Sequence, residues 1–129
     1  MTTDVNAGFI AKEAVKMIDE IQFGKITIKG NTYTTDVQIF PDGRVADGWW
    51  RKHGHHLTLA DLDVLLSSKP DVLVVGTGVY GRVLPEDGLE ETLQNMGIDV
   101  ILAPNDQARA HFNRLFGDRP TAGGFHLTC

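Results

Sequence analysis

Residues 71–75, Asp-Val-Leu-Val-Val, are an apolar run without the polar alternation of a half-exposed strand. A run of this kind suits a strand covered on both faces. A second one, "IDVILAP" at 98–104, follows a stretch that reads as a helix opened by Pro85, running through Met96 and ended by Gly97. Strand, helix and strand in that order predict a parallel unit with a right-handed crossover. The second half of the chain is therefore α/β.

The flanking segments extend this frame. Asn105 is placed to cap a last helix with Ala108, Phe112, Leu115 and Phe116 inward, closed by Gly117, and "TAGGFHLTC" reads as a final extended segment. Upstream, Thr58 is placed to cap a helix whose apolar face is Leu59, Leu62, Leu65 and Leu66, stopped by Pro70. The first half has period two instead. "KITIKGNTY" alternates around a Gly30-Asn31 turn, and Val37 and Ile39 precede a Pro41-Asp42-Gly43 turn. Before these strands, Ile10, Ala14, Met17, Ile18 and Ile21 fall at helical spacing, so Ala7–Ile21 is expected to be an amphipathic helix. The expected organisation is an N-terminal helical extension, residues 1–22, and one α/β domain, residues 23–129.

Composition narrows the function classes. The net charge of −5 over 129 residues offers no basic stripe for nucleic acid or for an anionic membrane surface. No apolar run approaches the length of a bilayer span. Met1–Gly8 carries Asp4 and does not read as a signal peptide, and the single cysteine, Cys129, rules out an internal disulfide. A cytoplasmic protein is the expectation.

Gly76-Thr77-Gly78-Val79-Tyr80-Gly81 satisfies G-x-G-x-x-G directly after a buried strand. A dinucleotide loop needs its helix to begin at the last glycines, where free N–H groups face the pyrophosphate. Here Arg82-Val83-Leu84 intervene, and Pro85, Glu86 and Asp87 bring a missing N–H and two carboxylates to the expected helix start. A P-loop is equally incomplete, because Val83 stands where a magnesium-binding hydroxyl is needed. The glycines are expected to serve a tight turn, and the strand end remains a crevice for a small anionic ligand. No cofactor is expected.

Trp49 to His56 gathers two tryptophans, Arg51, Lys52 and three histidines. Such a mixture suits a recognition surface for a protein partner or a planar or anionic ligand. His53 and His55 share a face of an extended chain, but no third ligand stands at supporting spacing, so no metal site is assigned. His126 and Cys129 are three apart and point to opposite faces of a strand, which disfavours a preformed dyad. Ser67 and Ser68 end a helix with no G-x-S-x-G around them. No catalytic set is expected.

Taken in order, the Trp50 segment with Gly54-His55, "VLVVGTG", "GIDVILAP", the Ala108/Phe112/Asn113/Leu115 helix and the closing "HLTC" resemble the Mth938-domain family over about Phe23 to Cys129. The resemblance implies a single three-layer α/β domain with a mixed central β-sheet, an N-terminal β-meander and flanking helices. It carries over Trp50, His55, Gly76, Thr77, Gly78, Asn113 and His126 as matching positions. Eukaryotic members resemble mitochondrial complex I assembly factors and an adipogenesis-linked group. The function expected is a non-enzymatic interaction or assembly module. The alternative is a small-ligand binder or unrecognised enzyme centred on Gly76, Gly78, Arg82, His55 and His126.

Overall fold

A computed structural model of the chain describes residues 16–52 and 54–129. It opens with a meander, β1 (Ile18–Gln22), β2 (Lys25–Ile28) and β3 (Asn31–Tyr33), paired antiparallel in that order. The β2–β3 hairpin closes through Lys29 and Gly30, both at positive φ as a type I′ turn demands. β1 corrects the reading of Ala7–Ile21 as a helix, and residues 7–15 of that segment lie outside the described residues. Ile18 and Ile21 are three apart, a helical spacing, yet both are buried in one cluster. A bulge between Ile18 and Glu20 shifts the register and returns both side chains to the same face. The irregularity imitates a helical period.

Next come β4 (Val37–Ile39) and β5 (Val45–Ala46), joined by the expected Pro41-Asp42-Gly43 turn. β6 (His56–Leu57) leads into a 3-10 turn, Ala60–Leu62, and helix α1 (Asp63–Ser67). Thr58 and Asp61 cap each other: Thr58 N–H donates to Asp61 Oδ2 at 2.9 Å, and Asp61 N–H reaches Thr58 Oγ1 at 3.4 Å. Then follow β7 (Val72–Gly76), β8 (Leu84–Pro85), α2 (Leu89–Asn95), β9 (Asp99–Ala103), α3 (Asn105–Leu115) and β10 (Thr121–Phe125).

Pro85 does not start a helix. Leu84 N–H donates to His55 O and Glu86 N–H to Leu57 O, so the chain stays extended through Glu86 and pairs parallel with β6. A proline at this short ladder loses nothing by lacking an N–H. Glu86 also leaves the expected phosphate position, because its Oε2 accepts the Leu59 N–H at 2.7 Å.

The central sheet runs β5-β4-β10-β7-β9 and is mixed: β10 is antiparallel to β4 and parallel to β7, which is parallel to β9. The expected parallel unit is present as β7-α2-β9. The last strand, expected only as an extended tail, is the middle of the sheet and is wholly buried. Its glycines weaken the strand signal but are needed for close approach, since a Cβ on Gly123 would meet the Phe112 ring at 2.8 Å.

Alternation along β7 divides the core. Val72 and Val74 join Ile18, Ile26, Ile28, Phe112 and Phe125 under the meander and α3. Leu73 and Val75 join Trp49, Leu62, Leu65, Leu89 and Leu93 under α1 and α2. The result is the three-layer α/β domain with a mixed sheet. All loops that follow β7 and β10 emerge at one end of it.

Candidate functional site

At that end the antiparallel pairing of Phe125 with Val37 brings His126, one residue on, beside Asp36, one residue back. His126 Nδ1 lies 2.7 Å from Asp36 Oδ2, and Leu127 N–H donates to Asp36 Oδ1 at 2.8 Å. Arg51 reaches in from the β5–β6 loop. Its side chain is only 4% exposed, and its Nη1 sits 3.0 Å from Asp36 Oδ2, close enough for an ion pair but angled away from a hydrogen bond. Arg51 Nη2 donates to Gly54 O at 3.2 Å, and the guanidinium lies 4.9 Å from the Trp49 ring centroid.

Arg51 Nη2 also closes to 2.5 Å on His126 Nδ1, which has a single in-plane position to offer. If Nδ1 accepted from Arg51, its lone pair would face the oxygen of Asp36 at 2.7 Å. With Nδ1 protonated instead, it donates to Asp36 but meets the Arg51 donor, and in that tautomer the Nε2 lone pair accepts from Thr128 Oγ1, 3.2 Å away. Burial pushes the Asp36 carboxyl upward, but the hydrogen bonds from His126 and Leu127 and the neighbouring Arg51 guanidinium hold it below the ordinary 3.8.

The glycine loop joins this cluster from the opposite side. His126 N–H donates to Gly76 O. Asn105 does not cap its own helix, which Pro104 precedes. Its buried amide accepts the Gly78 N–H at 3.1 Å and donates to His126 O at 2.7 Å. Three further loop donors are taken by the chain itself: Val79 N–H by Thr128 O, Arg82 N–H by Cys129 O, Gly81 N–H by Gly78 O. Thr77 N–H goes to Ala103 O, and its own carbonyl accepts from Val83 N–H. Gly78, at φ +107°, is required because Cys129 lies against it, so that any Cβ would fall inside the Cys129 carbonyl carbon's van der Waals shell. The G-x-G-x-x-G pattern thus cradles residues 128 and 129, where a dinucleotide site would hold phosphate oxygens.

Of the residues singled out from the sequence, Gly76, Gly78, Arg51 and His126 converge, with His55 at the exposed rim, its ring 6.2 Å from that of His126 and edge-on. Trp50 stands outward at 76% exposure, between neighbours that are both buried. Arg82 contributes its backbone and is otherwise exposed. Asn113 belongs elsewhere: its amide exchanges two hydrogen bonds with the backbone of Ile18, fastening α3 to β1. Asp36 and Thr128 carry no local sequence signal, and reasoning from sequence misses both. A cleft of about 250 Å³, lined by Ile21, Gln22, Phe23, Val79, Asn105 and Asp106 and so sharing Val79 and Asn105 with this cluster, opens between the β1–β2 turn and the start of α3. Among the described residues, no group of three or more His, Cys, Asp or Glu side chains is placed to hold a metal ion, and His53 lies outside them. No helix of the described residues is long and apolar enough to cross a membrane.

Comparison with known proteins places these features. A family described as protein of unknown function (DUF498/DUF598) matches residues 18–126. The crystal structure of the conserved hypothetical protein PH1505 from Pyrococcus horikoshii is 30% identical, covers 87% of this chain and 98% of its own, and superposes with a TM-score of 0.77. MT938 is 26% identical over 89% of this chain and 100% of its own, with a TM-score of 0.69. A Mth938-like domain from Bordetella pertussis, solved by solution NMR, shares the fold at 18% identity, covering 87% of this chain and 85% of its own, with a TM-score of 0.62. No curated protein matches the chain. It belongs to the DUF498/DUF598 family of proteins of unknown function and has the Mth938-like fold.

Proposed function

We propose that this protein is a cytoplasmic interaction module of the assembly-factor type, whose contact surface centres on Trp50. One observation carries the reading. Trp50 is 76% exposed although both neighbours in sequence are pinned, Trp49 through Nε1–H to Asp61 O at 3.1 Å and Arg51 through Asp36 and Gly54. A large aromatic held outward on a fixed backbone loses little conformational freedom on binding, which is the character of an interface anchor. Tyr80 and Leu84 are also exposed, and the β6–β8 ladder ties the segment that bears them to the Trp50 loop. A small anionic ligand at the glycine loop finds less support, because the Gly78, Val79, Gly81 and Arg82 N–H groups already have partners within the chain.

The test is affinity capture from a native lysate with the wild-type chain, Trp50→Ala and, as a control on another exposed apolar residue at the end of α2, Met96→Ala. A partner retained by wild type and by Met96→Ala but lost from Trp50→Ala supports the reading. Recovery of the same proteins by all three variants would count against Trp50 as the anchor.

A further inference from the structure

We infer that Thr128, His126 and Asp36 form a nucleophile–base–orienter set that gives the chain acyl-transfer activity toward carboxylic esters. The three side chains meet the geometric requirement for an activated hydroxyl. A half-buried carboxylate lies 2.7 Å from Nδ1 of the imidazole, and the opposite ring nitrogen stands 3.2 Å from a hydroxyl. Asp36 and His126 are 90 positions apart, which is why no contiguous motif announces the set.

Each member is held from outside. Leu127 N–H and the Arg51 guanidinium orient the Asp36 carboxylate, and Arg51 is itself fixed on Gly54 O. Val79 N–H holds Thr128 O, so the backbone that carries the hydroxyl is anchored on the glycine loop. Thr128 is half-buried and His55 exposed, which leaves the hydroxyl approachable from the rim.

In the reaction Thr128 Oγ1 attacks the ester carbonyl carbon while its proton passes to His126 Nε2, and the carbonyl π pair moves onto oxygen. Collapse of the tetrahedral adduct expels the alcohol oxygen, which takes the proton from Nε2 and leaves an acyl-threonine. Water attacks that ester with Nε2 again accepting the proton, and Thr128 leaves with it as the carboxylic acid departs. Asp36 and Arg51 are positioning residues and do not touch the substrate.

The experiment uses 4-nitrophenyl acetate with the full chain, acid quenching and peptide mapping. Expected are nitrophenol release above buffer, an acetyl group on Thr128, a loss of at least about tenfold in Thr128→Ala, and activity kept in Thr128→Ser. Asp36→Asn should lose about 10²-fold, partly restored in Asp36→Glu. Acetyl on lysine or other histidines alone, or release unchanged in Thr128→Ala, would show a hydroxyl that merely ties the chain end and would overturn the inference. Should Thr128→Ala fail to fold, the site of acetylation in the wild-type chain decides the matter by itself.

Discussion

Replacing Gly78 by alanine tests the claim that the glycine loop exists to seat residues 128 and 129. At φ +107° an L side chain is strained, a cost of about 1–3 kcal/mol. The new Cβ would also overlap the Cys129 backbone, so that segment must lift. Lifting breaks the bonds from Val79 N–H to Thr128 O and from Arg82 N–H to Cys129 O. Each contributes about 0.5–1.5 kcal/mol. Together the loss is about 2–6 kcal/mol, a large share of the roughly 5–15 kcal/mol typical of a domain. Gly97→Ala is the control, since Gly97 has φ +82° but open space around its Cβ and carries the backbone strain alone. Urea unfolding of both variants, with amide exchange at Val79 and Arg82, separates strain from seating. If Gly78→Ala costs no more than Gly97→Ala and both amides stay protected, residues 128 and 129 do not depend on this glycine, and the account of the motif is wrong.

The two adjacent tryptophans should separate sharply in thermal unfolding. Trp49→Ala removes a ring packed in the core and should cost about 3–5 kcal/mol, whereas Trp50→Ala should stay within about 0.5 kcal/mol. Phe112→Ala, fully buried between Phe116 and Phe125, should cost about 3–5 kcal/mol as well by urea denaturation. Asp36 sets a pH dependence of definite sign. Its folded-state pKa lies below the ordinary 3.8, so the ionised group favours the folded chain above that pH, and the contribution fades as pH falls through the lower value. Acid titration of Asp36→Asn by circular dichroism should therefore show a shallower loss of stability below about pH 4 than wild type. Millimolar NAD or ATP should leave the melting temperature unchanged, because a ligand raises it only by binding the folded state.

The parts of the fold that can be read from sequence are those with a strong period and ordinary punctuation. The "DVLVV" and "IDVILAP" runs form β7 and β9, the Pro41-Asp42-Gly43 turn lies where its chemistry puts it, and the hairpin expected at Gly30-Asn31 turns one residue earlier, at Lys29-Gly30. Two different signals mislead. The bulge in β1 gives Ile18 and Ile21 a helical spacing, and Pro85 combines a helix-start residue with a strand position. The site is legible only in fragments. Arg51 and His126 stand out by residue type, but Asp36 lies in "YTTDV", an unremarkable strand entry, and only the β4–β10 register brings it to His126. Likewise the sequence argument against a dinucleotide rests on a misplaced helix and two acids, whereas the structure shows Thr128 and Cys129 carbonyls on the Val79 and Arg82 N–H groups, which no local motif announces.

The order of the central sheet bears on biosynthesis. β4 and β5 emerge early, β7 and β9 later, and neither pair hydrogen-bonds to the other except through the strand at 121–125. Until that segment has left the ribosome the two half-sheets each present an unpaired edge beside bare valine, leucine and isoleucine. Such intermediates are exposed to aggregation. A nascent chain halted before residue 121 should therefore stay bound to chaperones, and folding should finish as a single late insertion.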